Sequence, residues 1–471
     1  MPTATLTLWN EADCRRLHEA TLTLLADVGV EVLQDEASLR LYAELGADVH
    51  GTRVRFAPDL VERALASAPR EWVVRPRGGD TEPLQLRDGA SYFGTGSDCL
   101  YVCDPDTHDR RRAALADIEG MAALAEKLRH MDFAMTMASP EDVDPAADDV
   151  AHVAALLKGT RKPLLLTPIN GRRLARIREM AALCGEAGSI VVYAMPSPPL
   201  QHDAEALSKV VGCAELQIPL IYAPAPQAGT TAPRSVTATV LVANAEVLSG
   251  LVLHQHVRPG APFVYGAGGG AMDMRTMHGD PYTLPEAVLA LQACCDLARF
   301  YGLPSFSYAG DSEAKVLDEQ WAAESALTTM LGALSRATLL HDVGYLEDGM
   351  QSSYESIVLG DELAGYARAF LRDVPVDEYA LALDEIRAAG PGGNHLGTKY
   401  TRRHYREFWT SELFDDTGFD RWAGEGAQSM LDRVRARVAR LRSEPRAFEL
   451  SAAQAAELDR IVAAELAAAQ A

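Results

Sequence analysis

Basic residues are scarce relative to acidic ones. With 44 Lys and Arg against 66 Asp and Glu, the 471-residue chain carries a formal charge of −22. A surface this acidic repels phosphate backbones and anionic headgroups, which argues against nucleic-acid partners and against binding to an acidic membrane surface. The seven cysteines contain no C-x-x-C. Cys99 and Cys103 are C-x-x-x-C, and Cys294 and Cys295 are adjacent, so no zinc-finger or iron–sulfur ligand set is spelled out. An odd number of thiols without such spacing suits a reducing, cytoplasmic compartment. No basic stretch followed by an apolar core opens the chain, and no uncharged apolar run reaches about 18 residues, so neither a signal peptide nor a transmembrane helix is expected. HExxH and GK[ST] are absent, which argues against a zincin and a P-loop.

What is present is an alternation. The first 89 residues read as a helical and mixed extension, with Asn10 and Asp35 as helix caps, Asp13 at N3 of the first helix, and Pro58 opening a third helix. Eight short β-rich runs then follow: 91–102, 133–139, 163–169, 190–197, 219–229, 262–273, 304–310 and 337–345. Their starts lie between 27 and 43 residues apart, room for a strand, a helix and two loops. Stretches such as LADIEGMAALAEKL, ADDVAHVAALL and RRLARIREMAALC separate them with helical periodicity. Near-continuous apolar strands alternating with amphipathic helices predict a parallel sheet covered by helices. Eight units predict an α/β fold of (β/α)₈ barrel type over 90–371. An open doubly wound sheet is the competing topology, but no GxGxxG follows the first run. Residues 372–471 read as a cap segment, AGPGGNHLGTKYTRRHYREFW within it, followed by Ala-rich helices.

In such a fold, working residues lie where strands end. The run ends are rich in Gly, Pro and aromatics and nearly devoid of Lys and Arg. Tyr92, Phe93, Tyr193, Tyr308 and Tyr345 lie in or at the ends of runs; as a set they suit an organic cation, each ring contributing about 0.5–2 kcal/mol. Each alone is more readily read as barrel filling. GAGGGAMD (266–273) is read first as a tight turn and only second as a phosphate cradle, because the lysine of a P-loop is missing. His341–Asp342 ends the eighth run, with Glu347 and Asp348 in the same loop; a histidine beside an acid serves as general base, metal ligand or orienting donor. No metal site is expected: the one H-x-H, His254–Gln255–His256, sits in a helical stretch, where positions i and i+2 do not face one way.

The order of these pieces resembles the trimethylamine methyltransferase family. The likeness runs through LHEATLTLLADVGVEV (17–32), YFGTGSD (92–98), AGDSEAKVLDEQWAAES (309–325), HDVGYLEDGMQSSYESIVLGDELAG (341–365) and GPGGNHLGTKYT (390–401). One departure is informative: the methylamine enzymes carry a pyrrolysine, and this chain has none. The resemblance is therefore to the branch without pyrrolysine, which includes the glycine betaine enzymes. It implies methyl transfer from a quaternary amine such as glycine betaine to the Co(I) of a corrinoid (cobalamin), carried by a cognate corrinoid protein, with no tightly bound metal and a homo-oligomeric enzyme. It implies His341 as the active-site histidine, with Asp342 and Tyr345 beside it. Tyr92, Phe93, Tyr193, Gln227, Tyr308, Glu313 and Glu347 are then expected around the amine. Gly94, Gly96, Asp98, Gly268, Gly269 and His341 are expected to face the corrinoid. For a substrate carboxylate the candidates are Gln227, Thr230, Arg275 and backbone N–H groups.

Overall fold

The computed structural model describes residues 4–78, 81–277 and 282–469. The local helix signals are realised. Asn10 accepts from the backbone of Ala12 and Asp13, and Asp13 returns the bond to Asn10, a capping box that opens α1 (Glu11–Asp27). Asp35 caps α2 (Glu36–Glu44), and Pro58 occupies the first position of α3 (Pro58–Ser67). The strand Val30–Leu33 pairs antiparallel with Arg53–Arg55 and parallel with Gln201–Asp203, so the N-terminal segment is hydrogen-bonded to the loop that follows the fourth run.

Seven of the eight runs form one curled parallel sheet. Its spatial order is Tyr92–Thr95, Leu339–Val343, Ser305–Tyr308, Phe263–Gly266, Leu220–Tyr222, Ile190–Ala194, Leu164–Leu166. The second run is the exception. Residues 133 and 134 make single parallel bridges, Phe133 to Gly94 on one edge strand and Ala134 to Leu164 on the other. A regular strand does not form there because the ladder is interrupted by a side chain: Met135 N donates to Thr95 Oγ1 at 2.8 Å instead of to a carbonyl, and Met137 takes a left-handed φ of 54°. Backbone bonds nonetheless run both ways, from Asp132 N to Phe93 O (2.7 Å) and from Leu165 N to Ala134 O (3.0 Å).

Each run is followed by a helix: α4 (Leu115–Lys127), α5 (Asp148–Gly159), α6 (Leu174–Leu183), α7 (Ala204–Leu216), α8 (Val236–Val257), α9 (Pro285–Tyr301), α10 (Glu319–Ser335) and α11 (Tyr354–Phe370). Among the described residues, α8 alone is long and apolar enough to cross a membrane by length and composition, although Glu246 interrupts its apolar run; 72% of its apolar window is buried within the fold. A helix apolar on all sides needs apolar neighbours on all sides. The flanking helices α7 and α9 and the N-terminal helices α1, α2 and α3 all lie against it.

Side chains on the sheet alternate between two apolar clusters, as the period of a strand requires. Leu165, Val191, Ile221, Val264, Phe306 and Leu339 point into one cluster, which the hairpin Glu71–Val74/Leu84–Arg87 closes with Val74, Leu84 and Leu86. Leu164, Leu166, Val192, Leu220 and Leu340 point outward against the helices.

Candidate active site

The same alternation aims the site. Two residues beyond Leu165, Val191, Ile221, Phe306 and Leu339 stand Thr167, Tyr193, Ala223, Tyr308 and His341. All five line a cavity of about 400 Å³ beyond the inner cluster, at the C-terminal ends of the strands. Phe306, Tyr345, Tyr282, Met195 and Leu291 complete much of its apolar wall, and Ser97, Asp98, Asp342, Asp348 and Lys209 its polar one. This is the end at which parallel α/β folds bind their ligands.

His341 is held on two sides. Its ring stacks on Phe306 with centroids 4.1 Å apart and planes 9° from parallel, and Tyr193 meets it edge-on at 6.0 Å. Nδ1 lies against Asp342 Oδ1. With Nδ1 so engaged, Nε2 is the nitrogen left to face a ligand. Asp342 is buried and takes a φ of 72°, in the left-handed region that Asp tolerates better than most residues. Asp98 (59°), Glu347 (51°) and Asp348 (54°) share that conformation, so four acidic residues around the mouth sit in backbone positions set by the surrounding loops. Tyr345 is fixed by its hydroxyl, which donates to Ser97 O at 2.5 Å and accepts from Ser97 N at 2.7 Å.

The electrostatics follow from burial of like charges. Asp98 is exposed to the cavity and accepts from Thr167 Oγ1 at 3.1 Å, and the protein packed around the cavity holds its pKa above the ordinary carboxylate range. Asp311, behind the mouth, is pushed up much further, first by burial and then by Asp342, Asp348 and Glu313. The Tyr193 phenol is raised by burial and by the nearby Asp342 and Asp98. Such a site favours an incoming positive charge. One cation already lines it: Lys209 enters from α7, its Nζ donating to Pro168 O at 3.0 Å, with its pKa lowered by burial.

The expected residues divide. His341, Asp342, Tyr345, Tyr193, Tyr308, Asp98 and Gly268 come together on the cavity wall. Tyr92 and Phe93 begin their strand and so lie at its other end: Tyr92 accepts from Gln85 N of the closing hairpin at 3.0 Å, and Phe93 faces the outer cluster under Arg368. Gly94, Gly96 and Gly269 are glycines of close contact. A Cβ at Gly94 would stand 2.1 Å from the Phe133 ring, at Gly96 2.1 Å from Tyr345, and at Gly269 2.7 Å from Thr239 Cγ2. Gln227 belongs to an outer two-residue strand pair with Gly270. Glu347 turns away to Arg110 at 2.6 Å, and it is the next residue, Asp348, that lines the cavity. Glu313 is not on the wall; its backbone N–H donates to Glu324 Oε2 at 2.9 Å. Of the carboxylate candidates, Arg275 is exposed and paired with Asp273, and Thr230 bonds back to Gln227 O. Lys209 and Phe306 went unremarked in the sequence. Phe306 was legible as the residue two before Tyr308 on one face of a strand. Lys209 carries no local signal, because it reaches the site from a helix.

Comparison with known proteins bears on this geometry. The chain is 32% identical over 427 residues to the glycine betaine methyltransferase of Desulfitobacterium hafniense strain Y51, covering 88% of each chain. It is 30% identical over 444 residues to the trimethylamine methyltransferase MttB of Methanosarcina barkeri, covering 90% of this chain and 88% of that one. The crystal structure of the Methanosarcina barkeri monomethylamine methyltransferase superposes with a TM-score of 0.56 at 12% identity, over 93% of this chain and 89% of that chain, a likeness of fold. The family model of trimethylamine methyltransferase matches residues 1–468, and the chain belongs to that family.

Proposed function

We propose that this protein is an enzyme that moves one methyl group from a zwitterionic quaternary amine, glycine betaine or a close analogue, to the Co(I) of a corrinoid carried by a partner protein. The fold proposed for it is a closed (β/α)₈ barrel whose second member is the irregular segment 132–137, bonded to both neighbouring strands. The observation that carries the function is the composition of one wall: Tyr193, Phe306, Tyr308 and Tyr345 beside Asp98, Asp342 and Asp348. Aromatic faces and carboxylates together suit an alkylated ammonium, which offers no N–H to donate and is held by its charge and its apolar surface. The 32% identity to a glycine betaine methyltransferase and the lack of pyrrolysine in this chain support the same reading.

The chemistry asks little of the protein's own acids and bases. A quaternary ammonium leaves as a neutral tertiary amine: the C–N bond breaks with its electron pair on nitrogen, and no proton is needed. A reduced corrinoid, when docked, would supply the nucleophilic electron pair for the methyl group. What the chain must do is strip water from the cation and hold one methyl outward in line for attack. Tyr193 and the stacked His341–Phe306 pair form a rigid floor for this. Asp98, Asp342 and Asp348 balance the positive charge, and Lys209 is the group available to a carboxylate. A Cβ at Gly268 would meet nothing nearer than 3.9 Å, and this open space at the cavity wall supports the approach of a bulky acceptor. His341 orients the substrate or meets the acceptor through Nε2.

The test is methyl transfer to cob(I)alamin followed by absorbance. Glycine betaine is expected to yield dimethylglycine in one step, with trimethylamine inert. Turnover of trimethylamine at a comparable rate, or binding of betaine without any transfer, would overturn the proposal.

A further inference from the structure

The hairpin at the mouth of the active-site cavity has two faces. Tyr345, Asp348 and Gly349 line that cavity, and Leu346 and Gln351 of the same hairpin line a second one, of about 200 Å³. Strand alternation separates them: Tyr345 and Leu346 are neighbours in one strand, which pairs antiparallel with Gln351–Ser353. Glu355, in the first turn of α11, lines the second cavity together with Cys103, His108, Arg110, Lys315 and Arg435. Three permanent cations meet in this small space, although the chain has 66 acidic residues and 44 basic ones.

Glu355 is only 3% exposed, and neither of its carboxylate oxygens accepts a hydrogen bond from another residue. His108 Nδ1 comes within 3.2 Å of Oε1 without forming one, from a side chain that is 34% exposed. A buried carboxylate without donors is costly, and folded proteins nearly always supply them. Arg435, on the helix Met430–Ser443, has the opposite need: its Nε is buried and has no acceptor. The other two cations are committed elsewhere, Arg110 to Gln351 Oε1 at 3.0 Å and Glu347 Oε2 at 2.6 Å, and Lys315 to Glu313 O at 2.6 Å. An unused acceptor and an unused donor therefore share one cavity without bonding to each other. What completes both is a molecule with an N–H at one end and a carboxylate at the other. The volume suits a small one, since a cavity of about 150 Å³ takes benzene.

We propose that this cavity is a second small-molecule site, for a zwitterionic amino acid that bears an N–H, its ammonium donating to Glu355 and its carboxylate accepting from Arg435. Entry requires His108 to turn away from Oε1 into the solvent that its side chain already meets. A quaternary ammonium has no N–H and would leave the carboxylate unpaired, so the site reads the one difference that demethylation makes. On the function proposed above, the fitting molecule is dimethylglycine, and that choice, unlike the site itself, rests on that reading. The product is then sensed from behind the hairpin whose other face meets the substrate.

Cys103 reports occupancy of the cavity. It lines the wall and is partly exposed, whereas the other six cysteines are buried. Burial, and then Glu355, push its thiol up to about 11, so its alkylation by iodoacetamide is followed in the full chain at about pH 9. Saturating dimethylglycine is expected to slow this alkylation about tenfold or more, and glycine betaine at the same concentration is expected to leave it unchanged. Glu355→Gln and Arg435→Gln should each raise the half-protecting concentration of dimethylglycine by about 10- to 100-fold. Each rate is compared with and without ligand in the same variant, which cancels any change in the thiol itself. Arg435 is only partly buried, so its variant keeps the test open if Glu355→Gln fails to fold. Equal protection by glycine betaine, no protection by dimethylglycine, or protection that a folded variant retains in full would overturn the proposal. Slowed alkylation in a chain that transfers no methyl group would keep the site and refute the function; transfer without slowing would do the reverse.

Discussion

At the scale of single residues, the site is defined by what His341 touches. Phe306 stacks on its ring and Asp342 Oδ1 lies against Nδ1, so Nε2 is the ring nitrogen turned from the carboxylate. Replacing His341 by Ala is expected to lower methyl transfer by about 10²-fold, as loss of positioning near a reacting centre does. The melting temperature should change little, because the residue lines a cavity instead of filling the core. A large drop in melting temperature with normal turnover per folded molecule would make the histidine structural. Lys209 bears on substrate choice. A charged hydrogen bond is worth about 1.5–3 kcal/mol, so Lys209→Met should raise KM for glycine betaine by about 10- to 100-fold. Choline, which has no carboxylate, should be insensitive, and equal losses for both amines would refute the assignment.

At the scale of elements, α8 shows how a buried charge sets a pH response. Glu246 lies in its middle, accepts from Leu200 N and is pushed up to about 8 by burial. Its folded-state pKa exceeds the ordinary value of 4.5, so the folded chain holds this proton more tightly than the unfolded one. The stability it contributes is complete below about pH 4.5 and is lost as pH rises through about 8. Glu246→Gln should therefore narrow the difference in melting temperature between about pH 6 and about pH 9, read by calorimetry. An unchanged difference would mean that Glu246 is ionised in the fold at neutral pH. The capped helices were legible in the sequence, since Asn10–Asp13, Asp35 and Pro58 act within one turn of themselves. The irregular second run was not: its pattern FAMTMAS reads as a strand, and what breaks the ladder is Thr95, distant in sequence.

At the scale of the whole molecule, the N-terminal segment is part of the body. One apolar cluster runs from Cys14 to Ile461, and the strand Val30–Leu33 shares a ladder with Gln201–Asp203. Helices α1 to α3 cover a face of α8 that is apolar enough for a membrane. Deleting residues 1–67, which leaves the closing hairpin Glu71–Arg87 in place, is expected to give insoluble protein. A soluble, active truncated chain with the wild-type melting temperature would show that the segment folds apart from the body.

The sequence by itself determined the elements and their alternation, because caps, turns and the two hydrophobic periods are local and each is written within a few residues. It also determined that His341 stands near a strand end, directly after the apolar run ATLL. Only the tertiary structure decided which residues share a cavity. Tyr92 and Tyr193 both read as strand aromatics, but the strand at 92–95 starts with Tyr92 while Tyr193 lies near the end of 190–194, so they occupy opposite ends of the sheet. Glu347 and Asp348 differ by one peptide, and the turn sends one to Arg110 and the other to the cavity. Lys209 comes from a helix with no mark of function in its neighbours. A cavity is a property of several strand ends and a helix brought together across the sheet, and the spacing between those residues in the chain does not encode the distance between them in space.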